Sequence, residues 1–357
     1  MAVDIKIGDR WVGDNHPTYF VADIAANHDG SLERAKYLIR LAKQAGADAA
    51  KFQNFSAPRI VSDFGFQSLG SQQSHQSQWK KSVFEVYKSA SIPFEWTYEL
   101  KDTCAQVGID YFSAPYDFES IDFLDEHMPV YKIGSGEIDW LEAIERIAKK
   151  GKPVLMATGA AHIGEVQRAV QTVLAFNPNL VLMQCNTNYT GSLDNFKHVH
   201  LNVLKTYHLM FPQVVLGLSD HTPGYAAVLG AVALGARVVE KHFTDDNTRE
   251  GPDHAFALDP VTWADMVRNT HELELALGSA NKVVAENEQE TVVLQRRCLR
   301  AARDIQAGEL FTREMIDVLR PAARGAILPP DIGRVVGTRA IKDIPFGKEL
   351  LWTDLGD

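Results

Sequence analysis

The 357-residue sequence predicts an α/β fold, a (β/α)8 TIM barrel followed by a small C-terminal β-rich domain. Short apolar runs alternate eight times with segments of helical spacing between residues 19 and 277, and the alternation stops there. Apolar strands separated by helices are typical of a parallel sheet that is covered on both faces. Eight such units within about 260 residues favour a closed barrel. An open doubly wound sheet is the alternative, but no G-x-G-x-x-G follows the first strand.

The predicted strands are short apolar runs, and the helices between them show an apolar face every three to four residues. The strands are predicted at residues 19–23, 48–53, 109–113, 130–134, 153–157, 180–184, 214–218 and 237–241. The first predicted helix, 31–46, places Leu38 and Ile39 on one apolar face. Ser31 can cap its N-terminus, and Gly46 lies where a glycine commonly ends a helix. Further helices are predicted at residues 163–175, 224–235 and 260–277.

Both ends of the chain depart from this repeat. The N-terminal residues are predicted to form a small hairpin that turns at Asp9 and Arg10, although this dipeptide lacks the glycine of most tight turns. The predicted parts are an N-terminal extension (1–18), the barrel (19–277), a polar linker or exposed helix (278–292) and the β-rich domain (293–357).

The β-rich domain contains an internal similarity. Residues 304–308 and 343–347 both have the pattern D-I-x-x-G, which indicates a duplicated unit. A domain of about 65 residues buries a core that is only marginally sufficient for independent stability. We therefore expect it to dock onto another surface.

One connection within the barrel is unusually long. Residues 54–93 follow the second strand and include a stretch rich in Ser and Gln, followed by a predicted helix near residues 80–90. Such an insertion often shapes a substrate pocket or a partner surface. A tolerated surface excursion is the alternative, because long loops cost little stability.

Composition and charge exclude several classes of protein. The chain has 46 acidic and 36 basic residues and a net charge of -10, which argues against a nucleic-acid partner. No apolar run is long enough to span a membrane, and the N-terminus lacks the features of a signal peptide. Three scattered cysteines do not make a disulfide framework, so we predict a reduced, cytoplasmic protein. A local basic pocket for an anion is still compatible with this charge.

Polar side chains follow every predicted strand. Functional groups of a (β/α)8 barrel gather at the carboxyl ends of its strands, so these residues together predict an active site. In chain order they are Asp23, Asn27 and His28; Lys51 and Gln53; Ser113 and Asp117; Lys132, Ser135 and Glu137; Thr158; Gln184, Asn186 and Tyr189; Ser219, Asp220 and His221; and Glu240, Lys241 and His242.

Two histidines at neighbouring strand ends indicate a metal site. His221 and His242 are one βα unit apart, so their imidazoles can reach a single divalent ion. Two histidines without cysteine favour an open catalytic site for Mn, Mg, Co or Fe rather than structural zinc. Hydrogen-bonded structural histidines are the alternative.

Two lysines within predicted strands form a second candidate constellation. Lys51 and Lys132 would give the barrel mouth a positive pocket suited to a phosphate or a carboxylate. Hydroxyl groups of Ser135, Thr158 and Ser219 could add donors. In one alternative, each lysine pairs with a carboxylate such as Asp23, Glu137 or Glu240. In another, one lysine is the Schiff-base residue of an aldolase.

Several motifs, in order along the chain, resemble those of the sialic acid synthase family. They are A-D-I-A-A-N-H-D-G-S-L (22–32), K-F-Q (51–53), K-I-G-S-G-E (132–137), G-L-S-D-H-T (217–222), G-A-R-V-V-E-K-H-F-T (235–244) and G-P-D-H (251–254). The resemblance covers nearly the whole chain, since residues 293–357 resemble the antifreeze-like (SAF) domain of that family.

This resemblance implies a reaction and its cofactor. Family members condense phosphoenolpyruvate with an open-chain N-acylated aminohexose, such as N-acetylmannosamine or a diacetamido-trideoxyhexose, and release phosphate. A divalent ion would bind His221 and His242 and polarise the aldehyde of the sugar; Mn²⁺ is expected first, with Mg²⁺ or Co²⁺ as alternatives. The SAF domain would send Arg320 into the active site of a partner chain, which implies a domain-swapped homodimer.

The strand-end positions and the resemblance together assign the site residues. Lys51, Lys132, Gln53, Ser135 and Ser219 are expected to hold phosphoenolpyruvate, and Asp253 and Tyr189 match positions near the sugar. The residues assigned to catalysis are Asp23, Lys51, Lys132 and Glu137, and those assigned to substrate binding are Asn27, Gln53, Ser135, Thr158, Asn186, Tyr189, Ser219, Lys241, Asp253 and Arg320.

Two departures from the family pattern lie in the first motif. Asp23 replaces a glutamate to which the family assigns acid–base or metal-linked work, so its carboxylate reaches one methylene less far. Ala25 replaces a glycine.

Further departures affect hydroxyl groups and the SAF arginine. Ala114 and Ala157 stand where the family has Thr and Ser, and Arg324 could compete with Arg320 for the sugar. Together with the long 54–93 connection, these changes predict an intact phosphoenolpyruvate half and a divergent sugar half.

Three other functions are compatible with parts of the sequence. A Schiff-base aldolase would use Lys51 or Lys132, and a non-catalytic carbohydrate-binding relative would retain the sugar site alone. Octulosonate and heptulosonate synthases share the chemistry but lack a SAF domain.

Overall fold

Eight parallel strands form the sheet of the barrel. The computed structural model describes residues 3–71, 76–77 and 79–356. The chain forms two compact units, and the first ends at Gly278. The strands of the first unit are β1 (Asp4–Ile7), β2 (Arg10–Gly13), β3 (Tyr19–Asp23), β4 (Ala49–Asn54), β5 (Asp110–Pro115), β6 (Tyr131–Ile133), β7 (Val154–Ala157), β8 (Leu180–Cys185), β9 (Val215–Asp220) and β10 (Ala236–His242). The sheet order is β5-β4-β3-β10-β9-β8-β7-β6, so the first and last strands of the series, β3 and β10, pair with each other. This confirms the predicted barrel, with strand ends that differ from the predicted ones by no more than two residues.

Helices lie between and after the strands of the barrel. They are α1 (Leu32–Gln44), α2 (Ala57–Ile60), α3 (Asp63–Ser68), α4 (Val83–Ala90), α5 (Trp96–Val107), α6 (Phe118–Leu124), α7 (Leu141–Ala148), α8 (Ile163–Leu174), α9 (Val203–Met210), α10 (Ala226–Ala233) and α11 (Pro260–Leu277). In α1, Ser31 accepts a hydrogen bond from Arg34 N, and Gly46 follows the helix with a φ of 94°. Leu38 and Ile39 are fully buried against the sheet, as their spacing predicts.

The N-terminal hairpin is present, but its predicted turn is wrong. β1 and β2 pair antiparallel with Ile7 opposite Arg10, which leaves Gly8 and Asp9 as the two turn residues. Gly8 has a φ of 56°, a conformation that glycine adopts without steric cost at the first position of a tight hairpin. The glycine of the turn is therefore Gly8, one residue before the predicted turn at Asp9 and Arg10.

In its described residues, the long connection after β4 contains three α-helices. The helix predicted near residues 80–90 is α4, which starts after Ser82, where Ser82 and Glu85 form a reciprocal capping box. α2 and α3 precede it. Part of the stretch rich in Ser and Gln, residues 72–75 and 78, lies outside the described residues.

A second compact unit begins at Ser279, and the first ends at Gly278. It contains α12 (Gln289–Gln295), β11 (Cys298–Ala301), β12 (Ile316–Leu319), α13 (Ile332–Val335), β13 (Arg339–Ala340) and β14 (Leu355–Gly356). The exposed helix α12 starts within the predicted linker. The unit has its own hydrophobic core, which includes Leu299, Phe311 and Leu350.

The duplicated segments of the second unit pair with each other. Ile305 N donates to Ile344 O at 2.9 Å, and Ile344 N donates to Ile305 O at 2.8 Å. Gly308 and Gly347 end the two segments with φ values of 87° and 79°. The sequence similarity therefore corresponds to a reciprocal structural pair.

The structure also bears on membrane association. In the part of the chain that is described, none of the helices combines the length and the apolar character that a bilayer span requires.

Candidate active site

The carboxyl ends of the barrel strands surround one cavity of about 340 Å³. It brings together most of the residues that the sequence assigns to the site. The predicted residues that line it are Asp23, Lys51, Gln53, Lys132, Ser135, Glu137, Tyr189, Ser219, His221, Glu240, His242 and Asp253. The structure thus places the two lysines, the two histidines and the candidate acid–base residues around a single space.

Four buried charged side chains, Asp23, Lys51, Lys132 and Glu240, form what we call the charged floor of this cavity. Lys51 Nζ lies 2.7 Å from Asp23 Oδ2 and 3.3 Å from Glu240 Oε1. Lys132 Nζ lies 3.1 Å from the same oxygen of Glu240. All four side chains are at most 5% exposed. Both lysines therefore have carboxylate partners, which is the arrangement that one of the sequence alternatives describes.

Glu240 holds the two ammonium groups of the charged floor. Burial alone would raise the pKa of Glu240, but Lys132 and Lys51 together lower it to about 2, so the group is a carboxylate at neutral pH. Its Oε1 also accepts a hydrogen bond from Ser219 at 3.3 Å, whereas its buried Oε2 has no hydrogen-bond partner in the part of the chain that the structure describes. The sequence predicts Glu240 at a strand end of the site and as a possible partner of the lysines, but does not predict that one carboxylate pairs with both.

Asp23 occupies the end of β3 beside Lys51, its neighbour across the sheet. Gln53 Nε2 donates to Asp23 Oδ2 at 3.2 Å, and Ala25 N donates to Oδ1 at 3.1 Å. Ala25 has a φ of 44°, in the left-handed region that a residue with a Cβ rarely adopts. The glycine of the family pattern would adopt this conformation without strain.

The two predicted metal ligands, His221 and His242, lie side by side with ring centroids 5.3 Å apart. His221 Nδ1 is 2.9 Å from Asn186 O, so Nδ1 carries the proton and Nε2 keeps a free lone pair. His242 Nε2 lies 3.6 Å from Asp23 Oδ2, and the buried Nδ1 of His242 has no hydrogen-bond partner among the described residues. A ligand could satisfy this nitrogen.

The protonation state of both imidazoles suits metal binding. Burial lowers the pKa of His221 to about 3, with a further contribution from His242. Burial likewise lowers the pKa of His242 to about 3, with a further contribution from Lys51. Both rings are neutral at pH 7, and the neutral imidazole is the form that binds a metal ion.

The donor set fits an open metal site and not a closed one. Within the described ranges, no group of three or more His, Cys, Asp or Glu side chains is arranged to hold an ion. Two imidazoles alone would leave most coordination positions to water and substrate, which is typical of catalytic sites. The predicted histidine pair is therefore compatible with a metal that also contacts a substrate.

Glu137 lies at the edge of the charged floor, in a short 3-10 turn that follows β6. Burial raises its pKa to about 7, although Lys132 opposes this shift. A Cβ at Gly134 would lie 2.5 Å from Glu137 Oε2, so only glycine leaves room for this carboxyl group. A carboxyl group that titrates near neutral pH can both accept and donate a proton.

Asp253 belongs to a loop that reaches the cavity from beyond β10. Its Oδ2 accepts a hydrogen bond from Ala26 N at 3.1 Å and lies 3.9 Å from His242 Nδ1. Burial raises the pKa of Asp253 to about 6. The loop thus places a second carboxyl group beside the histidine pair.

One side of the cavity is an aromatic wall, formed by Phe55, Tyr87, Tyr116 and Tyr189. The Phe55 ring lies 5.3 Å from the Tyr87 ring and 5.8 Å from the Tyr116 ring, measured between centroids. The Tyr189 ring lies 4.4 Å from that of His221. Burial raises the pKa of Tyr87 to about 12, so its hydroxyl stays protonated.

Sequence reasoning found only Tyr189 of this wall. Phe55 and Tyr87 come from the long connection after β4, and Tyr116 directly follows β5. The length of the connection was the only signal that could have indicated a contribution to the pocket.

Lys241 does not line the cavity, although the sequence assigns it to substrate binding. Its Nζ donates to Asp220 Oδ2 at 2.6 Å and to Thr222 O at 2.7 Å. Because side chains alternate along a strand, Lys241 faces away from the side that Glu240 and His242 share.

Three further predicted substrate ligands also lie outside the cavity lining. Asn27 Nδ2 donates to Phe243 O at 3.0 Å, Thr158 Oγ1 donates to Met183 O at 2.9 Å, and Asn186 Nδ2 donates to His198 O at 3.2 Å. These side chains stabilise the loops around the site.

Arg320 lies in the second unit, directly after β12, and its peptide bond to Pro321 is cis. Arg320 and Arg324 are both exposed. The function predicted for Arg320 in a partner chain stays a prediction.

Comparison with known proteins identifies two matching family models. The model of the NeuB family matches residues 38–282, and the model of the SAF domain matches residues 296–356. The first covers the barrel from within α1 onward, and the second covers most of the second unit.

Similar proteins from several organisms match almost the whole chain. An uncharacterized protein of Methanocaldococcus jannaschii is 36% identical over 358 residues, 99% of each chain. The N,N'-diacetyllegionaminic acid synthase of Legionella pneumophila is 34% identical over 346 residues, 95% of each chain. Human N-acetylneuraminate-9-phosphate synthase is 33% identical over 333 residues, 93% of this chain and 91% of the human one.

A solved structure shows the same architecture. The crystal structure of N-acetylneuraminic acid synthetase from Leptospira borgpetersenii, in complex with citrate, is 27% identical in sequence with a TM-score of 0.71. The match covers 82% of this chain and 96% of that one.

Proposed function

Because the chain belongs to the NeuB family and carries a SAF domain, we propose that it condenses phosphoenolpyruvate with an open-chain N-acylated aminohexose. The products are a nonulosonic acid and inorganic phosphate, and the acceptor is N-acetylmannosamine or a diacetamido-trideoxyhexose. One observation above all supports this proposal: two buried ammonium groups and two neutral imidazoles face the same cavity.

The charged floor is proposed to hold phosphoenolpyruvate. Lys51 and Lys132 would exchange part of their pairing with Glu240 for the phosphate and carboxylate of the substrate, since charge-assisted hydrogen bonds to such anions are strong. Gln53, Ser135 and Ser219 add neutral donors around the same space. Glu240 keeps the two ammonium groups at a fixed separation before the substrate binds.

The reaction forms one carbon–carbon bond and breaks one carbon–oxygen bond. The methylene carbon of phosphoenolpyruvate bonds to the aldehyde carbon of the acceptor, water adds to the phosphate-bearing carbon, and phosphate leaves as the resulting intermediate collapses. The water gives up both of its protons: one balances the proton that the aldehyde oxygen gains, and the other goes to the departing phosphate as the intermediate collapses to a ketone. Glu137, with a pKa near 7, is suited to carry such a proton. Asp23 orients Lys51 through their 2.7 Å contact.

A divalent ion, Mn²⁺ foremost with Mg²⁺ or Co²⁺ as alternatives, is proposed to bind His221 and His242. When bound, such an ion polarises a carbonyl oxygen as a Lewis acid. Asp253 and Tyr189, which lie beside the histidine pair, would contact the acceptor.

The second unit is proposed to act in a partner chain. In a domain-swapped homodimer, Arg320 of one chain would complete the acceptor end of the other site, with Arg324 as the competing residue. Charge and composition lead us to expect the dimer in the cytoplasm, without a nucleic-acid or membrane partner.

A Schiff-base aldolase fits the site less well. Burial alone would lower the pKa of Lys51, but Asp23 and Glu240 raise it above its ordinary value. A Schiff-base lysine needs the opposite shift, because only the neutral amine is a nucleophile.

A phosphate-release assay tests the proposal. Phosphoenolpyruvate is incubated with N-acetylmannosamine or diacetamido-trideoxyhexoses, with Mn²⁺ or Mg²⁺. We expect phosphate release only when an acceptor is present, and loss of activity in a chelator. Trapping of pyruvate on the protein by borohydride would instead support the aldolase. Sugar binding without phosphate release would support a carbohydrate-binding relative.

A further inference from the structure

We propose that His254 is a positioning residue, which fixes the loop bearing Asp253 against the loop that follows β3 and thereby sets the acceptor end of the cavity. The inference rests on the proposed function, since it concerns the acceptor of that reaction. His254 does not line the cavity, so it acts through its neighbour in the chain.

The imidazole of His254 joins two loops. Its side chain is fully buried, with Nδ1 at 2.8 Å from Thr244 Oγ1 and Nε2 at 3.0 Å from Asp29 Oδ1. Thr244 lies just after β10, whereas Asp29 lies between β3 and α1. Both ring nitrogens are engaged, each by a different loop, so the ring has one orientation that satisfies both.

Asp29 is itself held in an unusual conformation. Its φ is 50°, in the left-handed region that residues other than glycine adopt only where the surrounding structure demands it. Its Oδ2 lies 3.0 Å from Arg34 Nε and 3.0 Å from Arg249 Nη2. The partner of His254 is thus fixed by two guanidinium groups as well as by the imidazole.

A second connection runs parallel to the first. Arg34 Nη1 and Nη2 donate to the two carboxylate oxygens of Asp245 at 2.9 and 2.6 Å, and Arg34 Nε donates to Asn27 O at 2.8 Å. This bidentate pair links the first turn of α1 to the loop that follows β10, and the bond to Asn27 O ties Arg34 to the loop that follows β3. The Arg34–Asp245 pair holds these regions close together, and the hydrogen bonds of His254 fix the orientation of residues 251–253.

The residues that precede His254 carry this orientation to the cavity. A Cβ at Gly251 would lie 2.5 Å from His254 Cδ2, so the loop backbone packs closely around the ring. Pro252 and Asp253 line the cavity, and Asp253 Oδ2 accepts from Ala26 N at 3.1 Å. Without both hydrogen bonds of the ring at position 254, residues 251–253 would no longer be held in place. Asp253 would then move relative to the acceptor.

Steady-state kinetics of the full-length chain test the inference, with Mn²⁺ and the acceptor selected by the phosphate-release assay. In His254→Phe, which keeps the ring but loses both hydrogen bonds, we expect the KM for the acceptor to rise about tenfold, because small misplacements of binding groups are costly. The KM for phosphoenolpyruvate should stay within about twofold, since the charged floor is untouched. His254→Gln, which can still donate to Asp29, should recover most of the loss. Equal changes in both KM values, or none, would overturn the proposal.

Controls separate this effect from instability and from failure of the proposed function. His271 also pairs with a carboxylate, Glu274, at 3.0 Å, but it is half exposed on α11, and His271→Phe should change neither KM. Should His254→Phe not fold, Asp29→Asn removes the charge of its partner, and the same split in KM is expected.

Hydrogen exchange provides a readout that needs no turnover. The Ala26 amide should exchange faster in His254→Phe, and unchanged exchange would contradict the positioning role even if no acceptor were found. Absence of turnover in the unmodified protein with every acceptor would instead refute the proposed function.

Discussion

The residues of the charged floor lie on strands, whereas those of the aromatic wall lie mostly on the connections between strands and helices. Asp23, Lys51, Lys132 and Glu240 belong to β3, β4, β6 and β10, and their spacing is set by the sheet. Phe55 and Tyr87 come from a connection whose length and helices are specific to one position in the barrel. On the proposed function, we expect the barrel strands to supply the chemistry that is common to all acceptors, and the connections to determine which acceptor fits.

The largest effect should follow from removal of an ammonium group of the charged floor. Lys132→Met should lower kcat/KM for phosphoenolpyruvate by about 10³-fold, because a buried charge that stabilises the transition state is lost. The measurement is phosphate release under saturating acceptor. Lys205→Met, at an exposed lysine of α9, serves as the control and should have no effect. If Lys132→Met changed only the KM for the acceptor, the proposed division between the charged floor and the aromatic wall would be wrong.

The histidine pair lies between the charged floor and the aromatic wall. Substitution of these histidines should have the next largest effect. His242→Ala and His221→Ala should each lower activity about 100-fold and weaken Mn²⁺ binding measured by calorimetry, since each removes a proposed metal ligand. Full activity in both variants would show that the metal assignment is wrong.

Glu137 provides a test through pH. Its pKa is raised from 4.5 to about 7, so between these values the folded protein binds more protons than the unfolded chain, and its stability falls as the pH rises. Glu137→Gln removes this contribution to the pH dependence of the stability. The variant should be more stable than the unmodified protein by about 1–2 kcal/mol at pH 8 and equal to it near pH 4.5, as thermal unfolding would show.

The exposed Glu119 supplies the matched control, because Glu119→Gln should give the same stability difference at both pH values. If the two variants behave alike, Glu137 is not a buried group that titrates near neutral pH.

The smallest effect is expected in the aromatic wall. Tyr87→Phe keeps the ring but removes a hydroxyl, and loss of one hydrogen bond is worth roughly 0.5–1.5 kcal/mol. The KM for the acceptor should rise roughly three- to tenfold while the KM for phosphoenolpyruvate stays constant. A reversed pattern would place phosphoenolpyruvate, and not the sugar, against the wall.

The sequence was sufficient for the barrel and for most of its charged floor. Apolar strands and intervening helices have distinct periods, and strand ends meet at one edge, so the lysines and histidines could be placed together before their distances were known. Lys241 shows where this reasoning was incomplete. Three consecutive residues of one strand cannot share a face, and strand alternation would have separated Lys241 from Glu240 and His242.

Apart from Tyr189, the aromatic wall could not be predicted, for a different reason. The position of Tyr87 depends on how three short helices pack between β4 and α5, and local pattern does not determine such packing. The turn of the N-terminal hairpin was missed by a single residue, because hairpin register depends on which residue has a positive φ.

The reciprocal pairing of Ile305 and Ile344 has a consequence for truncation of the chain. Neither half of the second unit satisfies its own backbone, because Ile305 needs Ile344, Ala301 N donates to Lys348 O, and Leu350 N donates to Leu299 O. Folding of this unit should therefore be cooperative across its whole length. A chain that stops before Ile344 would lose both halves together, and Leu299 and Phe311 would be left exposed as an aggregation-prone surface.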